Sequence, residues 1–223
     1  MHNGHRNRLK ERFLKEGLDS FEAHNVLELI LFYAIPRKDT NETAHRLLDT
    51  FHSLSGVFEA SYGELLKVEG VGPSAASLIK MFPDVMRKYS VDKEKNLKII
   101  ETTEDAGKFL LPLFIGRSDE IVVLVCLDCK RKVLHSSIIF EGSVNSAQIS
   151  IRKIVEVALR YNSSTVIIAH NHPGGLALPS KEDVTTTGTV KEVLTGVGID
   201  LLDHIVVADN DYVSFADSGL LNN

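Results

Sequence analysis

In the stretch AHNHPGGLALPSKEDV (Ala169 to Val184), four side chains have the types and spacing to do chemistry: His170, His172, Ser180 and Asp183. The histidines follow the strand-like run STVIIA, so in an extended segment both imidazoles project from one face. Two imidazoles on one face can share a metal ion. The Pro-Gly-Gly turn that follows is short enough to bring Ser180 and Asp183 back over the strand end. Two histidine nitrogens and one carboxylate, with a fourth position left to water, form the ligand set of a catalytic zinc rather than a closed structural one. A plainer reading covers half of the same stretch, because Ser180 followed by Lys181, Glu182 and Asp183 is also a helix N-cap with acid in its first turn. The cap explains Ser180 and Asp183 and leaves His170 and His172 without a reason. Both readings can hold, with Ser180 starting the helix and Asp183, at its third position, ligating the metal.

The elements that must position these residues are legible in the hydrophobic pattern. EIVVLVCLD, KVLHSSIIF, STVIIAH, LLDHIVVAD and YVSFAD read as strands, separated by helical patterns at 104–116, 147–162 and 181–196. Upstream, apolar residues recur at helical spacing, as in Val26, Leu27, Ile30, Leu31 and Tyr33, and β-branched runs are missing. The expectation is an α+β (α/β-like) chain: a smaller all-helical domain over 1–96 and a mixed-sheet domain flanked by helices over 97–223. The charged stretch KYSVDKEKNLKII (Lys88 to Ile100) is read as the linker.

At 223 residues, 43% hydrophobic and 25% charged, the chain can bury a core without disulfides or other staples. It shows no basic-plus-apolar leader and no apolar run of about 18 residues, so a cytoplasmic protein with no membrane partner is expected. Cys126 and Cys129 lie three apart in a strand, facing opposite sides, and are expected reduced, with Cys126 packed. The net charge of −5 belongs to the second part: residues 1–96 carry 14 basic and 14 acidic residues, and residues 97–223 carry 11 and 16. An overall basic character that would recommend nucleic acid is therefore absent, although a local patch is compatible with this balance.

LLKVEGVGPSAASLIKMF (Leu65 to Phe82) places Gly70-Val71-Gly72 between two helical patterns, with Pro73 suited to an early helical position. Glycine amides beside a helix N-terminus could hold a phosphate, which makes Gly70 and Gly72 a candidate phosphate-binding hairpin. ELILFYAIPRKDTNETAHRLLD (Glu28 to Asp49) reads as a degenerate copy, with Ile35-Pro36-Arg37 as its turn and no glycine there. Residues 25–85 resemble helix-hairpin-helix modules, which bind DNA backbone without reading sequence. Many of those place Lys or Arg just after the glycines, where this chain has Ser74 and Ala75. Arg6, Arg8, Lys10, Arg12 and Lys15, interrupted by Glu11 and Glu16, read as a solvated helix face. Packing or protein interaction is accordingly placed ahead of nonspecific DNA binding for this domain.

H-x-H, seven residues, S, two residues, D is the JAMM signature of JAB/MPN-type metalloproteases, and His170, His172, Ser180 and Asp183 match it at every spacing. HNHPGG and PSKED, then LLDHIVV and YVSFADSGLL, with GHRNRLKERF and the hairpin upstream, resemble the RadC (UPF0758) family over nearly the whole chain. The resemblance implies one Zn2+ per chain on His170, His172 and Asp183, in an isopeptidase-like fold. It also implies a glutamate general base at the start of an early strand, where Glu120 stands, with Glu141 at a strand end as its competitor. The implied chemistry is hydrolysis by metal-activated water. Glu120 would carry the proton to the leaving amine and Ser180 would donate to the oxyanion. Asp203 and His204 read as a buried, hydrogen-bonded core pair, with support of the metal site as the other option. The expected function is a zinc metallopeptidase acting on an amide or isopeptide bond of an unknown peptide or protein. A DNA-repair factor or metal-dependent nuclease, and a non-enzymatic DNA or protein interaction module, are the alternatives.

Overall fold

The computed structural model describes residues 2–36, 38–93, 99–142 and 150–222. It divides into two compact units, 1–86 and 87–223. The expected boundary at 96/97 lies outside the described residues. Lys88 to Lys93, expected in the linker, instead continue the helix that begins at Pro73.

The first unit is helical throughout: α1 (His2–Glu16), α2 (Ala23–Ala34), α3 (Asn41–Phe51), α4 (Leu54–Glu59), α5 (Tyr62–Leu65) and the start of α6 (Pro73–Lys93). Leu27 and Leu31 of α2, Ala44 and Leu47 of α3, Val57 of α4 and Ala76 and Ile79 of α6 share one core. Tyr33 departs from the expected apolar stripe, being 69% exposed with Lys10 Nζ 4.9 Å above its ring. Of the turn proposed for the degenerate copy, Arg37 lies outside the described residues. The basic residues of α1 are not all on a solvated face. Arg6 donates to the carbonyls of Ile35, Pro36 and Lys38, just past the end of α2. Arg12 donates to the Ser20 carbonyl and lies over the Phe21 ring.

The glycines of the α5–α6 turn differ. Gly70 has φ of +93°, and a Cβ there would come within 2.4 Å of Thr43 Oγ1 on α3. Gly72 has open space around it. Gly70→Ala is therefore expected to destabilise the chain by about 1–3 kcal/mol, through strained backbone and the clash with Thr43. Gly72→Ala should stay within about 0.5 kcal/mol. Denaturant unfolding of both variants checks the contrast.

In the second unit, α7 (Thr103–Phe114) precedes β1 (Glu120–Leu127) and β2 (Val133–Gly142). Then come α8 (Ile151–Arg160), β3 (Thr165–Asn171), α9 (Lys181–Gly196), β4 (Asp200–Ala208), β5 (Asp211–Ser214) and a short 3-10 turn, Leu220–Asn222. Residues 147–149 of the helix expected over 147–162 lie outside the described residues. The sheet order is β2-β1-β3-β4-β5, with β3 and β4 parallel across α9 and every other pair antiparallel. This mixed sheet with flanking helices is the α+β architecture that the pattern predicts.

Strand β1 reads as an unbroken apolar run because both its faces are covered. Val122, Leu124 and Cys126 pack with Ile154 and Ala158 of α8 and Val190 and Leu194 of α9. Ile121, Val123, Val125 and Leu127 pack on the other side with Ala106, Leu110 and Phe114 of α7. One step along β1 or β3 thus exchanges the α8/α9 side for the α7 side. The cysteines are both free, Cys126 buried and Cys129 exposed. Strand β5 is shorter than the YVSFAD pattern suggests. The Asp203 carboxylate accepts from Ser214 Oγ at 2.5 Å and from the Ala216 amide at 2.9 Å, which turns the chain out of the sheet. No described helix is long and apolar enough to cross a membrane.

Candidate metal centre

His170 sits near the end of β3, opposite Val122 of β1 and Val206 of β4. Both neighbours belong to the core on the α8/α9 side, so the imidazole faces that side. The following turn carries the chain to α9, whose first turn is closed by a full capping box. Ser180 Oγ accepts from the Asp183 amide at 3.1 Å, and an Asp183 carboxylate oxygen accepts from the Ser180 amide at 2.8 Å. The cap and the candidate ligand are therefore the same residue pair. It holds Oδ2, the oxygen nearer His172, and leaves Oδ1 facing His170.

His170 Nε2 lies 3.0 Å from His172 Nε2 and 3.3 Å from Asp183 Oδ1, and His172 Nε2 lies 3.5 Å from Asp183 Oδ2. Ligands about 2.0–2.1 Å from a tetrahedral zinc ion are about 3.3–3.4 Å from one another, so the spacing fits that ion. Among the described residues this is the group of histidines, cysteines and acids gathered closely enough to hold a metal. The His170 side chain is 2% exposed, against 26% for His172 and 18% for Asp183, so the group is walled on the His170 side and open on the other.

The carbonyl of Leu176 is 3.2 Å from His172 Nδ1. A carbonyl only accepts, so His172 holds a proton on Nδ1 and, when neutral, presents a bare Nε2 to the centre. The same contact fixes the intervening turn, as do the Gly175 amide donating to the His172 carbonyl at 3.1 Å and the burial of Ala177. Pro173 to Pro179 thus form a hydrogen-bonded turn, with Leu176 and Leu178 exposed beside the centre.

Burial penalises the charge of Asp183. Even so, hydrogen bonding and charge from His170, when that ring is protonated, and the Ser180 hydroxyl and amide hold its carboxyl well below the usual carboxylate range. Behind the ligands, His204 Nε2 is 2.8 Å from His170 Nδ1, and burial pushes His204 down to about 3, so it is neutral. Burial raises Asp203 despite its bonds to Ser214, Ala216 and the His204 amide. His204 is thus the buried, hydrogen-bonded histidine expected from its apolar neighbours, and its partner is a candidate ligand.

A family model described as the RadC-like JAB domain matches residues 100–220. The chain belongs to the RadC-like family. A UPF0758 protein of Fusobacterium nucleatum subsp. nucleatum is 33% identical over 225 residues, covering 98% of this chain and 97% of its own. A UPF0758 protein of Bacillus licheniformis is 34% identical over 214 residues, covering 96% of each. The matched RadC-like segment contains His170, His172, Ser180, Asp183 and both candidate glutamates, whereas Gly70 and Gly72 lie upstream of it.

Sheet register separates the two glutamates of this RadC-like domain. Glu120 is two residues before Val122, hence on the side that His170 faces. Glu141 pairs with Ile121, which packs on the α7 side, and its carboxylate meets Arg117 Nη1 at 3.2 Å. Asn171, a residue that the sequence reading passed over, holds β1 at this point. Its Oδ1 accepts from the Ile121 amide at 2.8 Å and its Nδ2 donates to the Asp119 carbonyl at 3.1 Å, one bond on each side of Glu120. Asn171→Ala leaves a buried Ile121 amide without a partner and is expected to cost about 1–3 kcal/mol in denaturant unfolding. Its position between two candidate ligands is the only sequence signal for this clamp.

Proposed function

We propose that this RadC-like chain is a zinc-dependent hydrolase that cleaves an amide bond, peptide or isopeptide. The observation that carries the reading is the convergence of His170 Nε2, His172 Nε2 and the Asp183 carboxylate at the spacing of a tetrahedral zinc site. Three protein ligands leave the fourth position for water, and histidine nitrogens with one carboxylate are a common catalytic zinc set. When bound, zinc supplies Lewis acidity toward water and toward the substrate carbonyl.

The protein's own groups do the rest. Glu120, on the same side of the sheet as His170, accepts a proton from the attacking water and returns it to the departing nitrogen. The new C–O bond replaces the C–N bond, and the products are a carboxylic acid and an amine. Asp183 stays ionised because the Ser180 amide and hydroxyl both donate to its carboxylate. The Ser180 hydroxyl donates to Asp183 Oδ2 at 2.7 Å and reaches a developing oxyanion by rotating away from it.

The test is release of amine from a panel of peptides and isopeptide-linked conjugates by zinc-loaded wild type beside Glu120→Gln. Hydrolysis by wild type alone supports the reading. Cleavage of DNA and not of amides, lost in His172→Ala, would move the centre to phosphodiester chemistry.

A further inference from the structure

A hydrogen-bonded chain joins two of the candidate ligands through residues that touch neither the open side of the centre nor solvent. It starts at the Asp183 main-chain carbonyl, 2.6 Å from Thr187 Oγ1. A carbonyl cannot donate, so the Thr187 hydroxyl gives its proton there. Thr187 Oγ1 then has only lone pairs for His204 Nδ1, 2.5 Å away, which must carry the ring proton of neutral His204. His204 Nε2 is left bare against His170 Nδ1 at 2.8 Å, so His170 donates from Nδ1. Neutral His170 consequently has a bare Nε2.

We propose that His204 and Thr187 are positioning residues that set the tautomer of His170, fixing its proton on Nδ1 so that its Nε2 lone pair is aimed at the metal. The proposal rests on the metal-centre reading above. The opposite proton order fails at the far end of the chain, because it leaves Thr187 Oγ1 and the Asp183 carbonyl oxygen 2.6 Å apart with no proton between them. The proposed order has its own unfavourable contacts, because the bare His170 Nε2 faces the bare His172 Nε2 at 3.0 Å and Asp183 Oδ1 at 3.3 Å. A cation among these three groups relieves both of those contacts and would do nothing for the Thr187–Asp183 carbonyl contact.

The surroundings of His204 hold it for this task. Its ring stacks on Phe215 with centroids 4.7 Å apart and planes 19° from parallel, and the residue is 1% exposed. Its amide donates to Asp203 Oδ1 at 2.8 Å, and its carbonyl accepts from the Phe215 amide at 2.9 Å. The Asp203 contacts that end β5 thereby place the Phe215 ring that His204 stacks on.

The test uses the full chain, with Thr187→Val as a near-isosteric loss of the hydroxyl and Thr187→Ser as its rescue. Long-range proton–nitrogen NMR of the metal-free protein reads the tautomer of each histidine, and chelator competition reads zinc affinity. The expected result is His170 protonated on Nδ1 in wild type and Thr187→Ser. In Thr187→Val the proton shifts toward Nε2, with zinc binding weakened about 10–100-fold. A folded Thr187→Val with the wild-type tautomer and zinc affinity within about twofold would overturn the proposal. Should Thr187→Val not fold, His204→Leu, which removes the acceptor for His170 Nδ1, is read by the same two criteria. Wild type that binds no zinc at all would instead sink the metal-centre reading.

Discussion

His172→Ala is expected to bind zinc at least about a hundredfold more weakly than wild type. Zinc sites with four protein ligands gain about 10–16 kcal/mol, roughly 3 kcal/mol for each ligand, and that amount is about a hundredfold in affinity. The fold should tolerate the change, since the His172 side chain is 26% exposed and packs in no core cluster. Its Nδ1 contact with the Leu176 carbonyl is lost as well, which frees the turn beside the centre. Chelator competition on both proteins, with circular dichroism as the check on folding, gives the answer. Equal affinity in the two proteins would mean that the metal sits on other groups.

Glu120→Gln is expected to keep zinc and lower turnover by about 10²–10⁴-fold, the usual contribution of a general base. The amide is of nearly the same size as the carboxylate and cannot accept the water's proton. Glu141→Gln is the control. Its side chain belongs to the α7 side of the sheet and meets Arg117, so turnover should change little. Metal content measured beside kcat separates the two effects. Full turnover in Glu120→Gln would hand the proton transfer to another group.

The candidate ligands were legible because their geometry is local. Period-two alternation puts His170 and His172 on one side, and the capping pattern puts Asp183 at the third position of α9. The strands were legible for a similar reason, since β1 and β3 are apolar on both faces and cannot be mistaken for loops. What the sequence left open depends on long-range pairing. Glu120 and Glu141 both lie at strand ends, and only the register of β2 against β1 shows that they face opposite sides. His204 comes beside His170 because β4 pairs parallel with β3, His204 opposite Ile168 and His170 opposite Val206. Thr187 had a local signal, four residues after Asp183 and so one helical turn along the same face, but threonine back-bonds of this kind are common in helices. Nothing local marks the role of Arg6, because the carbonyls that it serves lie about 30 residues downstream, past the end of α2.

The most direct measurement is anomalous X-ray scattering at the zinc edge from crystals of the wild-type protein grown with zinc. A single strong peak is expected about 2.0–2.2 Å from His170 Nε2, His172 Nε2 and an Asp183 carboxylate oxygen. No peak among these three residues, or zinc held by a different set, would contradict the metal-centre reading.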